Sequence, residues 1–184
     1  MKPPSTGEVT YVSAFLGLDR DEAAFHAVRI DTVLPRFTSA GDDTCWLPAQ
    51  VQAALHLSPG DPVVLAGRSL RVAGFFTDDA FGQLRQLTDD PLTPIDPAGS
   101  ATVQGANAAN DETNRPEIRP RFYAPGGIAV IRAELARQLG ARLTSIMFRP
   151  ANLASPQQLD NLAEAFARRA DITVYASNGD ARSE

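Results

Sequence analysis

An α+β protein of two lobes is what this sequence predicts, on three observations. Short runs of period-2 apolar residues alternate with short amphipathic runs of helical period along 184 residues, with no run long enough for a bundle. A tight hairpin signal lies mid-chain, around Ala66-Gly67. Near the C-terminus an amphipathic helix is flanked by two strand-like runs, so a right-handed crossover would make those strands parallel.

The stretch from Cys45 to Phe81 organises the rest. Pro48 suits a first helical position, and Leu47, Val51 and Leu55 share one helical face. Ser58-Pro59-Gly60-Asp61 ends that helix and turns the chain. Pro62 to Leu65 and Leu70 to Phe76 then read as paired strands around Ala66-Gly67-Arg68-Ser69, with Leu70, Val72, Gly74 and Phe76 on one face. Before this unit, Glu8 to Leu16 alternates as a strand. Asp19 and Glu22 have the spacing of a helix-capping box, while Phe25 to Ile30 alternates as a strand would, so residues 19–40 admit either reading.

After the hairpin, Phe81, Leu84 and Leu87 are spaced for a short helix ended by Asp89-Asp90-Pro91. Residues 99–115 are small and polar without periodicity, which predicts a mobile surface loop. Val130 through Leu139 repeats the apolar spacing of Trp46 through Leu55, a strand end turning into a helix, so the chain carries either an internal duplication or a chance recurrence of short amphipathic helices. Gly140 caps the second helix and Leu143 to Arg149 follows as a strand. Ser155-Pro156-Gln157-Gln158 opens a helix with Leu159, Leu162, Ala163 and Phe166 as its buried stripe, and Ile172 to Tyr175 is a final strand. The expected division is residues 1–41 with 142–184 in one lobe and 42–141 in an inserted lobe.

Composition excludes several classes of function. A formal net charge of −5 argues against a nucleic-acid partner, which needs a basic surface. Cys45 is the single cysteine, so no internal disulfide and no thiolate cluster can form. Its place at the start of an apolar helix predicts a buried small hydrophobe. A nucleophilic role would require His26 or His56, the only histidines, close in space. Asp42-Asp43, Asp78-Asp79 and Asp89-Asp90 flank turns without the spaced pattern of a calcium loop, and no histidine pair has zinc spacing, so no metal site is expected. There is no P-loop and no nucleophile elbow, and neither a cofactor nor a catalytic residue is predicted. No apolar run of about 18 residues is present to span a bilayer, and the first nine residues lack the apolar core of a signal peptide. Recognition surface is expected on the inserted lobe, at Phe75, Phe81, Asp78 and Asp79.

A helix of the form LPAxVxxxLxLxPGD, then VxLxGRxLxVxGxF and an acidic loop, resembles the large extracytoplasmic domain of FtsX-like, MacB-type ABC transporter permeases. The segments IAVIRAELARQLGARLTSIMFRP and DITVYASNGD are similar to that family too, in its order. The resemblance spans Cys45 to Asp180 with one variable gap. It implies a non-enzymatic module on the periplasmic or extracellular side of the membrane, excised here from between two transmembrane helices. Implied partners are those helices, an ABC ATPase on the cytoplasmic side, and a periplasmic protein or a permease dimer partner. The rival expectation is a small soluble enzyme on a β-barrel-like scaffold, using Cys45 or His56 with Asp78 or Asp79; a free-standing secreted binding module is a third.

Overall fold

The computed structural model describes residues 9–24, 30–86, 89–96, 98, 101–103, 117–141, 161 and 164. Its strands are β1 (Ala14–Leu18), β2 (Thr44–Pro48), β3 (Pro62–Leu65), β4 (Arg68–Phe76), β5 (Ala101–Val103), β6 (Glu117–Arg119) and β7 (Ile128–Arg132). The α-helices are short: α1 (Ile30–Val33), α2 (Ala49–Leu55), α3 (Asp78–Phe81) and α4 (Ala133–Gln138), with 3-10 turns at Arg20–Ala24 and Pro125–Gly127. Mixed helix and strand content around one mixed sheet makes this an α+β protein.

Five strands form the main sheet in the order β1-β7-β2-β4-β3, and β5 pairs with β6 in a separate antiparallel ribbon. The central pair, β2 with β7, is antiparallel; each takes a parallel neighbour on its outer side, β4 and β1 respectively. β1 and β7 therefore join residues on either side of position 41 in one sheet.

Both faces of the sheet are covered, which is why Ile128 to Ile131 is an unbroken buried run instead of an alternating one. One face carries Leu18, Trp46, Phe76, Ile128 and Val130 and packs on Ile30, Val33, Leu34 and Phe37, with Phe81, Leu84 and Leu92. The other carries Cys45, Leu47, Leu70, Val72, Ala129 and Ile131 and packs on Val51 of α2 and Ala136 of α4. Trp46, fully buried, donates its indole N–H to Pro35 O at 2.9 Å, so the polar atom of the largest core side chain is satisfied.

The two strand–helix units noted in the sequence meet at the centre of the sheet. Each strand runs straight into its helix through an extended residue, Pro48 (φ −61°, ψ 148°) in one and Arg132 (φ −66°, ψ 141°) in the other. Trp46 pairs with Val130, its own counterpart in the repeat, so the pairing has the form of a local twofold centred on that pair. Turn chemistry behaves as the residues dictate. Ala66 (φ 47°) and Gly67 (φ 79°) form a two-residue turn with both φ positive between Leu65 and Arg68. Gly140 (φ 85°) closes α4, with Ala141 N–H returning to Ala136 O.

Several expectations need correction. The N-terminal strand is Ala14–Leu18, starting later than the predicted Glu8 and ending beyond the predicted Leu16; within it Gly17 is a packing position, where a Cβ would lie 2.5 Å from Ala136 Cβ on α4. Pro48 is the residue before the helix, not its first turn, because β2 continues pairing to Phe76. Leu70, Val72, Gly74 and Phe76 do not share a face. A β-bulge on β4 sets Cys45 opposite Val72 but Trp46 opposite Gly74, leaving Ala73 as the extra residue. Leu70 and Val72 therefore join one core layer and Phe76 the other.

Within residues 19–40, where the sequence admits either reading, Arg20–Ala24 is a 3-10 turn and Ile30 begins a helical turn, and Phe25 to Arg29 lie outside the described residues. At the start of the 99–115 segment, Ala101–Val103 is a strand, not loop; most of the remainder lies outside the described residues. The predicted strand–helix–strand unit of 143–175 lies outside them too, except that Asn161 and Glu164 are helical and exposed.

Candidate functional site

The sequence-predicted residues do not form one site. Phe81 is 1% exposed and stacks on Phe76 with ring centroids 4.7 Å apart, so it is core and cannot present itself to a partner. The short helix expected on Phe81, Leu84 and Leu87 is instead a single turn that ends at Phe81, with Leu84 beyond it and both side chains in the core. Phe75 is half-buried against Leu47 and its neighbours on the opposite face of the sheet. Asp78 and Asp79 are exposed in the first turn of α3, where carboxylates favour the helix dipole, and Thr77 Oγ1 caps the turn by accepting from Ala80 N–H at 3.3 Å.

Cys45 is fully buried among apolar side chains, and burial pushes its thiol up to about 12. A thiol so held is protonated at neutral pH and is a poor nucleophile. His56 is exposed as the left-handed C-cap of α2 (φ 50°). Among the described residues no three His, Cys, Asp or Glu side chains converge to hold a metal ion. No helix of the described residues is long and apolar enough to cross a membrane.

Two features that sequence reading missed concentrate polar chemistry. The first is Arg132, 4% exposed at the end of β7. Its guanidinium lies over the rings of Phe37 and Trp46, at 4.7 and 5.3 Å from their centroids, and Nη2 donates to Phe37 O (2.5 Å) and Ala40 O (2.7 Å). Nε and Nη1 are buried without a partner among the described residues. Burial first, then Arg20, pulls its pKa below the ordinary value, while Asp42, Asp19 and Asp31 oppose the shift. The arginine stitches the 36–40 segment onto the sheet; the clue in sequence was a lone cation ending an apolar run.

The second is a cleft of about 370 Å³ between that segment and the sheet, lined by Arg36, Ser39, Thr44, Gly60, Arg71 and the bulge at Val72-Ala73. Arg36 sits at φ 59°, a left-handed backbone, and Arg71 is opposite Thr44 in the β2–β4 ladder, where Nη1 reaches Gly60 O at 3.4 Å. A smaller cleft of about 240 Å³, lined by Phe81, Leu84, Arg85, Leu92, Thr93, Phe122 and Tyr123 among others, is largely apolar. Compared with known proteins, the chain matches no family model, no curated protein and no solved structure.

Proposed function

We propose that the chain is a non-catalytic extracytoplasmic module of an ABC transporter permease, relaying ATP-driven movement of membrane helices to an external substrate or partner protein. Its partners in this reading are membrane helices of the same polypeptide, an ABC ATPase across the membrane, and a periplasmic protein or a second permease. The observation that supports it is where the motif residues sit. Val51, Gly60, Gly67, Gly74 and the Ile128–Ile131 run serve the core and turns of one continuous sheet, as expected of a body that transmits displacement without deforming. Among the described residues, Cys45 is buried while His56 is exposed on a helix end; His26 lies outside the described residues.

The test is topological. Val64, 63% exposed on β3, is replaced by cysteine in the protein expressed from its full reading frame. Buried Cys45 supplies no competing signal. Labelling of intact cells by a membrane-impermeant maleimide supports the reading, and labelling only after lysis refutes it.

A further inference from the structure

The cleft beside the β4 bulge carries a consequence of the bulge itself. Counting back from Phe76 with strict alternation would place Gly74, Val72 and Leu70 on the Trp46 face and turn Arg71 into the layer beneath α2. The extra residue at Ala73 reverses this: Val72 and Leu70 enter the α2 layer, and Arg71 stands with Thr44 on the face covered by residues 30–40. There it shares a cleft with Arg36, a residue held at a left-handed φ of 59°. Among the described residues no acidic side chain lines this cleft.

Neither guanidinium forms an ion pair among the described residues, in a chain of net charge −5. Of the carboxylates around it, Asp42 pairs with Arg20 at 3.2 Å, Asp31 accepts from Thr38, and Asp61 Oδ2 accepts from Ser58 N–H at 2.8 Å; Asp43 touches Arg71 through its backbone carbonyl, which accepts Arg71 N–H at 2.9 Å, and is not among the lining residues. Both arginines are exposed and line one cleft, so an anion bound there is attracted by two positive charges. Ser39 and Thr44 add hydroxyls, while Pro59, Val72 and Ala73 give the cleft an apolar side.

We infer that this cleft binds a phosphate group, held by Arg36 and Arg71, carried either on a free small molecule or on a lipid headgroup. Two guanidinium groups match a doubly charged phosphate better than a single carboxylate, and the planar fork of arginine suits oxyanions of that kind. The inference does not rest on the permease reading: a phosphate cleft could serve a protein on either side of a membrane.

The test is an NMR titration of amide resonances with inorganic phosphate, and with acetate at matched ionic strength, on the wild type, Arg71→Gln, and Arg36→Asn with Arg71→Gln. Asparagine is chosen because it tolerates the left-handed backbone, and R71Q alone serves if the double variant loses its native spectrum. Saturable phosphate shifts at Thr44, Gly60 and Ala73, weakened about tenfold or more by R71Q and stronger than those from acetate, are expected for a free phosphate ligand. Sedimentation with vesicles of anionic phospholipid, lost in the same variants, assigns the phosphate to a headgroup. No shift and no vesicle binding, shifts unchanged in the variants, or equal shifts from acetate overturn the inference.

Discussion

Replacing Gly17 by alanine should destabilise the protein, and replacing Ala136 by glycine as well should undo most of the damage. The reason is a close approach of β1 to α4. A methyl group on Gly17 would lie 2.5 Å from Ala136 Cβ and 3.2 Å from Ala133 Cα, where an ordinary carbon–carbon contact is about 3.5–4.0 Å. The strand or helix must shift by roughly 1 Å, and overpacking of that kind costs about 1–3 kcal/mol. Ala136→Gly alone loses about 1 kcal/mol of helix propensity and about 0.8 kcal/mol for a buried methyl.

If the two effects were independent, the double variant would be down by about 4 kcal/mol. If the clash is real, the new methyl fills the space of the lost one and only the helix-propensity cost of about 1 kcal/mol remains, a coupling of about 2–3 kcal/mol. Urea denaturation followed by the fluorescence of Trp46, the only tryptophan and fully buried, measures all four proteins. Additivity to within about 0.5 kcal/mol would refute the packing of β1 under α4.

Other perturbations probe the remaining layers. Ala66→Gly should stabilise the fold by about 0.5–1 kcal/mol, because alanine holds a left-handed φ of 47° in the hairpin turn; a urea midpoint that falls would contradict the turn geometry. Cys45 should resist iodoacetamide at pH 8 in the native state and react once the protein unfolds, as mass spectrometry would show. Its folded pKa is raised from 9.0 to about 12, so the stability tied to the protonated thiol is complete below about pH 9 and is lost as pH rises through 12. Cys45→Ala should flatten that part of the alkaline unfolding profile, and an unchanged profile would remove the thiol as its cause. Arg132→Met should cost about 2–4 kcal/mol, since it leaves Phe37 O without its guanidinium donor and Ala40 O with only Arg20 at 3.3 Å. A loss under about 0.5 kcal/mol in calorimetry would show that the orphaned Nε and Nη1 already offset those contacts.

Local chemistry was legible in the sequence wherever a few neighbouring residues decide the outcome. Gly60 and Gly67 in the turns, Gly140 after α4, and the repeated strand-to-helix spacing of Trp46–Leu55 and Val130–Leu139 each act through their own backbone or one helical turn. They specify elements and therefore the α+β class. What tertiary structure alone decided involves residues far apart in the chain. The bulge at Ala73 exists because β4 must match β2 on both sides of Trp46, and it reverses the face on which Arg71 emerges. Phe81 is core because it joins a cluster assembled from Ile30, Leu34, Phe37 and Ile128 as well as its neighbour Phe76. Arg132 is buried because Phe37 and Ala40, more than ninety residues earlier, supply the carbonyls that make burial tolerable. Periodicity tells which residues can share a face; only the assembled sheet fixes which face meets which layer, because a single inserted residue inverts the answer.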